Sequence, residues 1–79
     1  MQSPMTLTQR QYLAFIYVYT RVLGRPPAEA DIQKYFEVTP PTVHQMLITL
    51  ERKGLIRRKP AWPRSIELLV SADSLPVLR

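Results

Sequence analysis

Residues 38–58 read VTPPTVHQMLITLERKGLIRR, with two prolines at the start and a cluster of positive charge at the end. Pro40 suits the first position of a helix, where a missing N–H leaves no hydrogen bond unmade, and Thr39 before it is a good N-cap. Gly54 is a stop, and Arg52 and Lys53 complement the dipole in the last turn. The stretch therefore predicts a helix running from Pro40 to Lys53. On a wheel of about 100° per residue, Val43, Leu47 and Leu50 share one face, flanked by Met46. Pro41, Gln45, Ile48 and Arg52 lie opposite, with Thr42 and Thr49 on one flank and His44 on the other. Such a helix buries one stripe and leaves a polar face outward.

Upstream, Glu37-Val38 is a tight turn preceded by a helix from about Ala28 to Phe36. Glu29 and Asp31 in its first turn suit the dipole. Ile32, Tyr35 and Phe36 are expected to meet the apolar stripe of the following helix. Arg25-Pro26-Pro27 cannot be helix interior and reads as an extended connection. Before it, Thr8 to Gln11 has the form of a capping box opening a helix that runs to about Leu23, with Gly24 as its stop. Residues 1–6 are expected to be a flexible arm.

Downstream of Gly54 the period changes. Leu55 to Lys59 and Arg64 to Val70 read as two strands around the tip Pro60-Ala61-Trp62-Pro63. The tail, residues 71–79, has no clear period. Two helices joined by a short turn form a helix-turn-helix, and the hairpin after them makes it the winged kind. The expected fold class is mainly α with a small β-hairpin: three helices plus a two- to three-stranded antiparallel sheet, in one domain over residues 1–79.

Composition limits the chemistry. There is no cysteine, so no disulfide framework and no thiolate metal site, and a single histidine forms no zinc site by itself. No paired carboxylates, no nucleophile beside a base and no glycine-rich phosphate loop are visible, so an enzyme is not expected, nor a cofactor or a small-molecule ligand. The longest apolar stretch, Tyr12 to Tyr19, is too short to cross a bilayer, and a cytoplasmic protein without a membrane partner is the default expectation. The formal net charge is +5, and Arg52, Lys53, Arg57, Arg58, Lys59 and Arg64 carry six of the eleven basic residues with no acid between them. That polarised charge suits a polyanion, although a solvated basic surface would have the same composition.

Several motifs together resemble one family. They are Leu7-Thr8-x-Arg10-Gln11, then Gly24-x-Pro26-Pro27, then Pro40 opening the third helix. Leu47-x-x-Leu50-x-Arg52-Lys53-Gly54-x-Ile56 and Arg64-x-Ile66-x-Leu68-Leu69 follow. Across roughly residues 6–70 the chain resembles the amino-terminal DNA-binding domains of LexA repressors. The resemblance implies a winged helix-turn-helix acting on double-stranded DNA, with Thr39, Pro41, Thr42, His44 and Gln45 at positions that face it. In that family a self-cleaving serine-lysine protease domain follows and dimerises the protein. No such domain follows within this sequence, so induction by self-cleavage is not carried over. Glu37 stands where the family usually has glycine, at a cost of roughly 1 kcal/mol for a left-handed conformation.

Read as chemistry, a helix entering a major groove meets base edges with its N-terminal side chains. Pro41, Thr42 and Gln45 are best placed, with His44 and Thr49 on the flanks. Gln45 can pair with adenine N6 and N7, and threonine and proline carbons can touch a thymine methyl. Thr39 and the first amides can hold a phosphate oxygen. Arg52, Lys53, Arg57, Arg58, Lys59 and Arg64 would neutralise phosphates and supply affinity without sequence information, Arg64 with the further option of a minor groove. Trp62 is expected to pack back as a core cover, stacking on nucleic acid being the other option.

The first helix is apolar on two sides. Ala14, Phe15, Val18 and Val22 are the expected core stripe, and Tyr12, Ile16, Tyr19 and Leu23 form a second face. The tail residues Leu75, Val77 and Leu78 can cover that face, or a second copy of the chain can, and a homodimer is expected through Tyr12, Ile16, Tyr19 and Leu23. The expected function is a sequence-specific transcriptional regulator, a repressor on a palindromic site. The alternatives are a winged-helix module that holds a protein partner, and RNA binding, which would want exposed aromatics.

Overall fold

The computed structural model describes residues 5–79, so the first four residues of the expected arm lie outside the described residues. Three helices come first: α1 (Leu7–Leu23), α2 (Glu29–Phe36) and α3 (Pro40–Arg52). Two short strands follow, β1 (Ile56–Arg57) and β2 (Glu67–Leu68), and then a single 3-10 turn at Ala72–Ser74.

The capping box of α1 lies two residues earlier than the sequence predicts. Thr6 is the N-cap; its hydroxyl accepts from the Gln9 amide at 3.0 Å, and the Gln9 side-chain oxygen accepts from the Thr6 amide at 3.2 Å. Both registers have a threonine three residues before a glutamine, and tertiary contacts choose between them. Gln9 Oε1 also accepts from Lys53 Nζ at 3.0 Å, tying the start of α1 to the end of α3. Gln11 is used by the tail instead: its Nε2 donates to the Val77 carbonyl at 3.0 Å, and its Oε1 accepts from the Arg79 amide at 2.9 Å.

That tail joins α2 and the wing in covering α1. Tyr12, Leu13, Ala14, Phe15 and Ile16 are all buried, whereas Val18 and Val22, expected in the core stripe, are 38% and 73% exposed. The returning tail covers the N-terminal half of α1, with Leu75 and Leu78 against the core, and leaves Val18 and Val22 open. Tyr12 and Ile16, expected at a dimer interface, are 2% and 1% exposed within this one chain. They are core residues and present no surface to a partner. Tyr12 stacks on Phe36 at 4.2 Å between ring centroids, and Phe15 meets Tyr35 at 4.6 Å, an arrangement that locks α1 onto α2.

The helix-turn-helix closes as its residues require. Asp31 Oδ2 accepts from the Ala28 amide at 2.8 Å and so caps α2 without a side chain at the N-cap itself. Glu37 ends α2 in the left-handed region at φ 55° and ψ 48°, the conformation for which glycine is the usual choice. Pro40 opens α3 as predicted, but Thr39 makes no side-chain cap: its hydroxyl lies 2.9 Å from that of Thr42. Val43, Leu47 and Leu50 face inward and are fully buried, together with Ile32, Ile56 and nearly all of Ile66. Each such side chain contributes on the order of 1.5–3 kcal/mol of burial.

The hairpin is shorter than its sequence pattern. Ile56 pairs with Leu68 and Arg57 with Glu67, antiparallel, in place of the longer strands expected over 55–59 and 64–70. Pro60 and Pro63 have no N–H to donate, and Ala61 and Arg64 take positive φ of 64° and 55°, so the ladder cannot extend toward the tip. Among the described residues no helix is long and apolar enough to cross a membrane.

Candidate nucleic-acid interface

The outward side of α3 is where the sequence places its readers. Pro41, Thr42, His44 and Gln45 are exposed, and Ile48 and Thr49 are half-buried. Pro41, Thr42, Gln45, Met46 and Thr49 line one shallow depression, joined by Gln9 from α1. The Thr49 hydroxyl donates to the Gln45 carbonyl at 3.0 Å, so its methyl group remains to face outward contacts. The Gln45 side-chain amide has no protein partner among the described residues. Its two donors and its acceptor are therefore available to a ligand.

On the opposite flank, His44 Nδ1 lies 3.8 Å from Glu29 Oε1. Behind it, Arg58 bridges Glu29 at 3.2 Å and Glu51 at 3.4 Å, joining the wing to α2 and α3. Arg57 holds Glu67 across the ladder at 2.6 Å. Arg52 and Lys59 have no carboxylate within ion-pair distance among the described residues, and Lys53 is held by Gln9. The six basic residues are therefore not equivalent. Arg52 and Lys59 are the free cations, and Arg57 and Arg58 would have to exchange a carboxylate for a phosphate.

Arg64 points into the molecule and not out of the wing. Its Nη1 donates to the Tyr19 hydroxyl at 3.0 Å and to the Pro26 carbonyl at 3.3 Å, and lies 3.1 Å from Asp31 Oδ2. Tyr19 in turn donates to Asp31 at 3.2 Å. The junction joins α1, the Pro26-Pro27 connection, α2 and the wing. The Ala28 amide, and after it Tyr19 and Arg64, hold the Asp31 carboxyl below its ordinary pKa against the opposing effect of burial. Tyr19 is thereby committed inside the chain, and of the four residues expected at a dimer interface only Leu23 is plainly exposed.

Trp62 does not pack back as a core cover. It is 70% exposed at the wing tip, with Lys59 Nζ 5.9 Å from its ring centroid.

Sequence reasoning missed Gln9, and it placed Asp31 in the first turn of α2 without its capping of the Ala28 amide or its contacts with Tyr19 and Arg64. The signal for Gln9 was the earlier Thr-x-x-Gln spacing at residues 6–9, and for Asp31 its place three residues after the N-cap of α2.

A helix-turn-helix whose second helix keeps a polar outer face, followed by an antiparallel hairpin tied to the helices, defines a winged helix-turn-helix domain. The chain belongs to the LexA DNA binding domain family, whose model matches residues 2–65. It is similar to the LexA repressor of Thermosipho melanesiensis, 39% identical over 71 residues, which covers 90% of this chain and 36% of that protein. It is 40% identical over 72 residues to the LexA repressor of Brevibacillus brevis, covering 90% of this chain and 35% of that one. The LexA repressor of Enterococcus faecalis is 43% identical over 61 residues, 76% of this chain and 29% of its own length. The chain thus spans about a third of the length of the curated relatives it matches.

Proposed function

We propose that this chain is a sequence-specific double-stranded DNA-binding regulator of transcription, a cytoplasmic repressor that occupies a palindromic site as a homodimer and acts by binding, not catalysis. The observation that carries this reading is the outer face of α3 in a member of this family: Pro41, Thr42 and Gln45 stand exposed on its first turns, with no partner for the Gln45 amide among the described residues. Recognition helices meet base edges with their N-terminal side chains. In this reading Gln45 pairs with adenine, Pro41, Thr42 and the Thr49 methyl touch thymine methyls, and His44 reads a base edge from the other flank of the helix. The Thr39 end of α3 holds a phosphate, and Arg52 and Lys59 supply the first counterion-releasing contacts. Arg57 and Arg58 join them by exchanging carboxylates, and Lys53 remains a brace.

Pairing of two copies fits the symmetry of palindromic sites. Of the large apolar residues that α1 leaves exposed, Leu7, Val18, Val22 and Leu23, the last three lie toward its C-terminal end and are available for it. Selection from a random duplex pool at several salt concentrations tests the reading. An enriched palindrome and a steep loss of binding with salt are expected; salt-steep binding with no enriched sequence would reduce the role to non-specific coating. Absence of any binding at low salt would overturn it.

A further inference from the structure

The most exposed large aromatic group of the described residues is also the chain's single tryptophan, and the fold spends structure on keeping it there. Trp62 stands between Ala61, at φ 64°, and Pro63. The tip is closed by Ser65, whose hydroxyl accepts from the Lys59 amide at 3.0 Å and lies 3.2 Å from the Lys59 carbonyl and 2.9 Å from the Trp62 carbonyl. The Trp62 amide donates back to the Lys59 carbonyl at 3.2 Å. Arg64 then pins the tip's far side to Tyr19, Pro26 and Asp31. A loop with two prolines and these clamps loses little further entropy when it meets a ligand. Tryptophan is on average a highly buried residue, so an indole held outward on a rigid tip is a contact group without its contact.

We propose that Trp62 stacks on the sugar-phosphate backbone of the DNA strand that borders the groove occupied by α3, against the face of a deoxyribose. The inference rests on the DNA-binding reading above. Trp62 and His44 line the same concavity between α3 and the wing, together with Lys59, Glu29, Glu51 and Arg58. In this proposal the strand that borders the major groove occupied by α3 runs along this concavity. Lys59, free of any carboxylate partner among the described residues, attracts phosphate beside the indole. Lys59 near the ring face gives the tip a positive charge to match the backbone it meets. A sugar contact carries no base information, so Trp62 supplies affinity and fixes the wing's position, while specificity stays with α3.

The indole is its own probe. Binding is followed by the anisotropy of a labelled duplex carrying the selected site, and in parallel by tryptophan emission and its quenching by acrylamide. Wherever anisotropy reports binding, the emission is expected to change and acrylamide access to fall. Trp62→Ala is expected to weaken binding about tenfold across site variants without changing their rank, and Trp62→Phe to recover most of the loss. Since Trp62 lies outside the core, both variants should melt close to the parent, which a thermal scan checks. Binding with unchanged indole access and an unaltered Trp62→Ala affinity would overturn this inference and leave the DNA reading standing. Absence of duplex binding by the parent protein would overturn both.

Discussion

At the scale of single residues, the chain accepts local strain at a left-handed position for which glycine is the usual choice. Glu37 holds a left-handed turn that no side-chain contact demands, between the two helices that must keep a fixed angle. A residue with a β-carbon costs about 1–2 kcal/mol there, partly offset by the extra freedom that glycine gives the unfolded chain. Glu37→Gly is therefore expected to stabilise the protein by roughly 0.5–1 kcal/mol, visible as a rise of a few degrees in Tm. A fall would mean that the Glu37 side chain contributes something its position does not reveal. Residue identity was also where the sequence was most legible on α3. Pro40, Gly54 and the spacing of Val43, Leu47 and Leu50 assign its ends and its inner face, because each acts through local geometry alone.

At the scale of elements, the wing is held by contacts between groups far apart in the chain, and these were not legible beforehand. Nothing local distinguishes Arg64, which turns inward to Asp31 and Tyr19, from Lys59, which does not. The same holds for α1: both its apolar stripes are candidates in sequence, and tertiary packing on α2, the wing and the returning tail puts Tyr12 and Ile16 inside while Val18 and Val22 are not. The junction has a pH signature. The folded Asp31 carboxyl lies below its ordinary pKa of 3.8, chiefly through the Ala28 amide and then Tyr19 and Arg64. A depressed carboxylate adds stability above its unfolded pKa and loses it as pH falls through the folded value. Melting curves between neutral pH and pH ~2.5 should therefore show a steeper acid loss for the parent than for Asp31→Asn, which lacks the titrating group. Equal acid slopes would remove Asp31 as a source of the pH dependence.

At the scale of the whole molecule, a small helical core is completed by the last residues of the chain. Leu75 and Leu78 pack on the core, Gln11 ties down Val77 and Arg79, and Tyr35 donates to the Arg79 carbonyl. The sequence raised this tail as one of two covers for α1 but could not choose it, since a tail without a period carries no signal of where it docks. Leu78→Ala should cost about 1–2 kcal/mol, less than a fully buried leucine because Leu78 is only partly enclosed. A denaturation midpoint equal to the parent's would show that the tail adds nothing to stability. With the core closed from within, the features left outward include the α3 face, the cations Arg52 and Lys59, and the wing tip. All three belong to one proposed interface, and its sequence discrimination is assigned to Gln45. The most direct test is to titrate the parent and Gln45→Ala against the selected duplex and every single-base variant of one half-site. The account predicts that the variant loses about 1–3 kcal/mol of discrimination at one base pair and keeps it elsewhere. Uniform weakening at all positions, or no change at any, would contradict it.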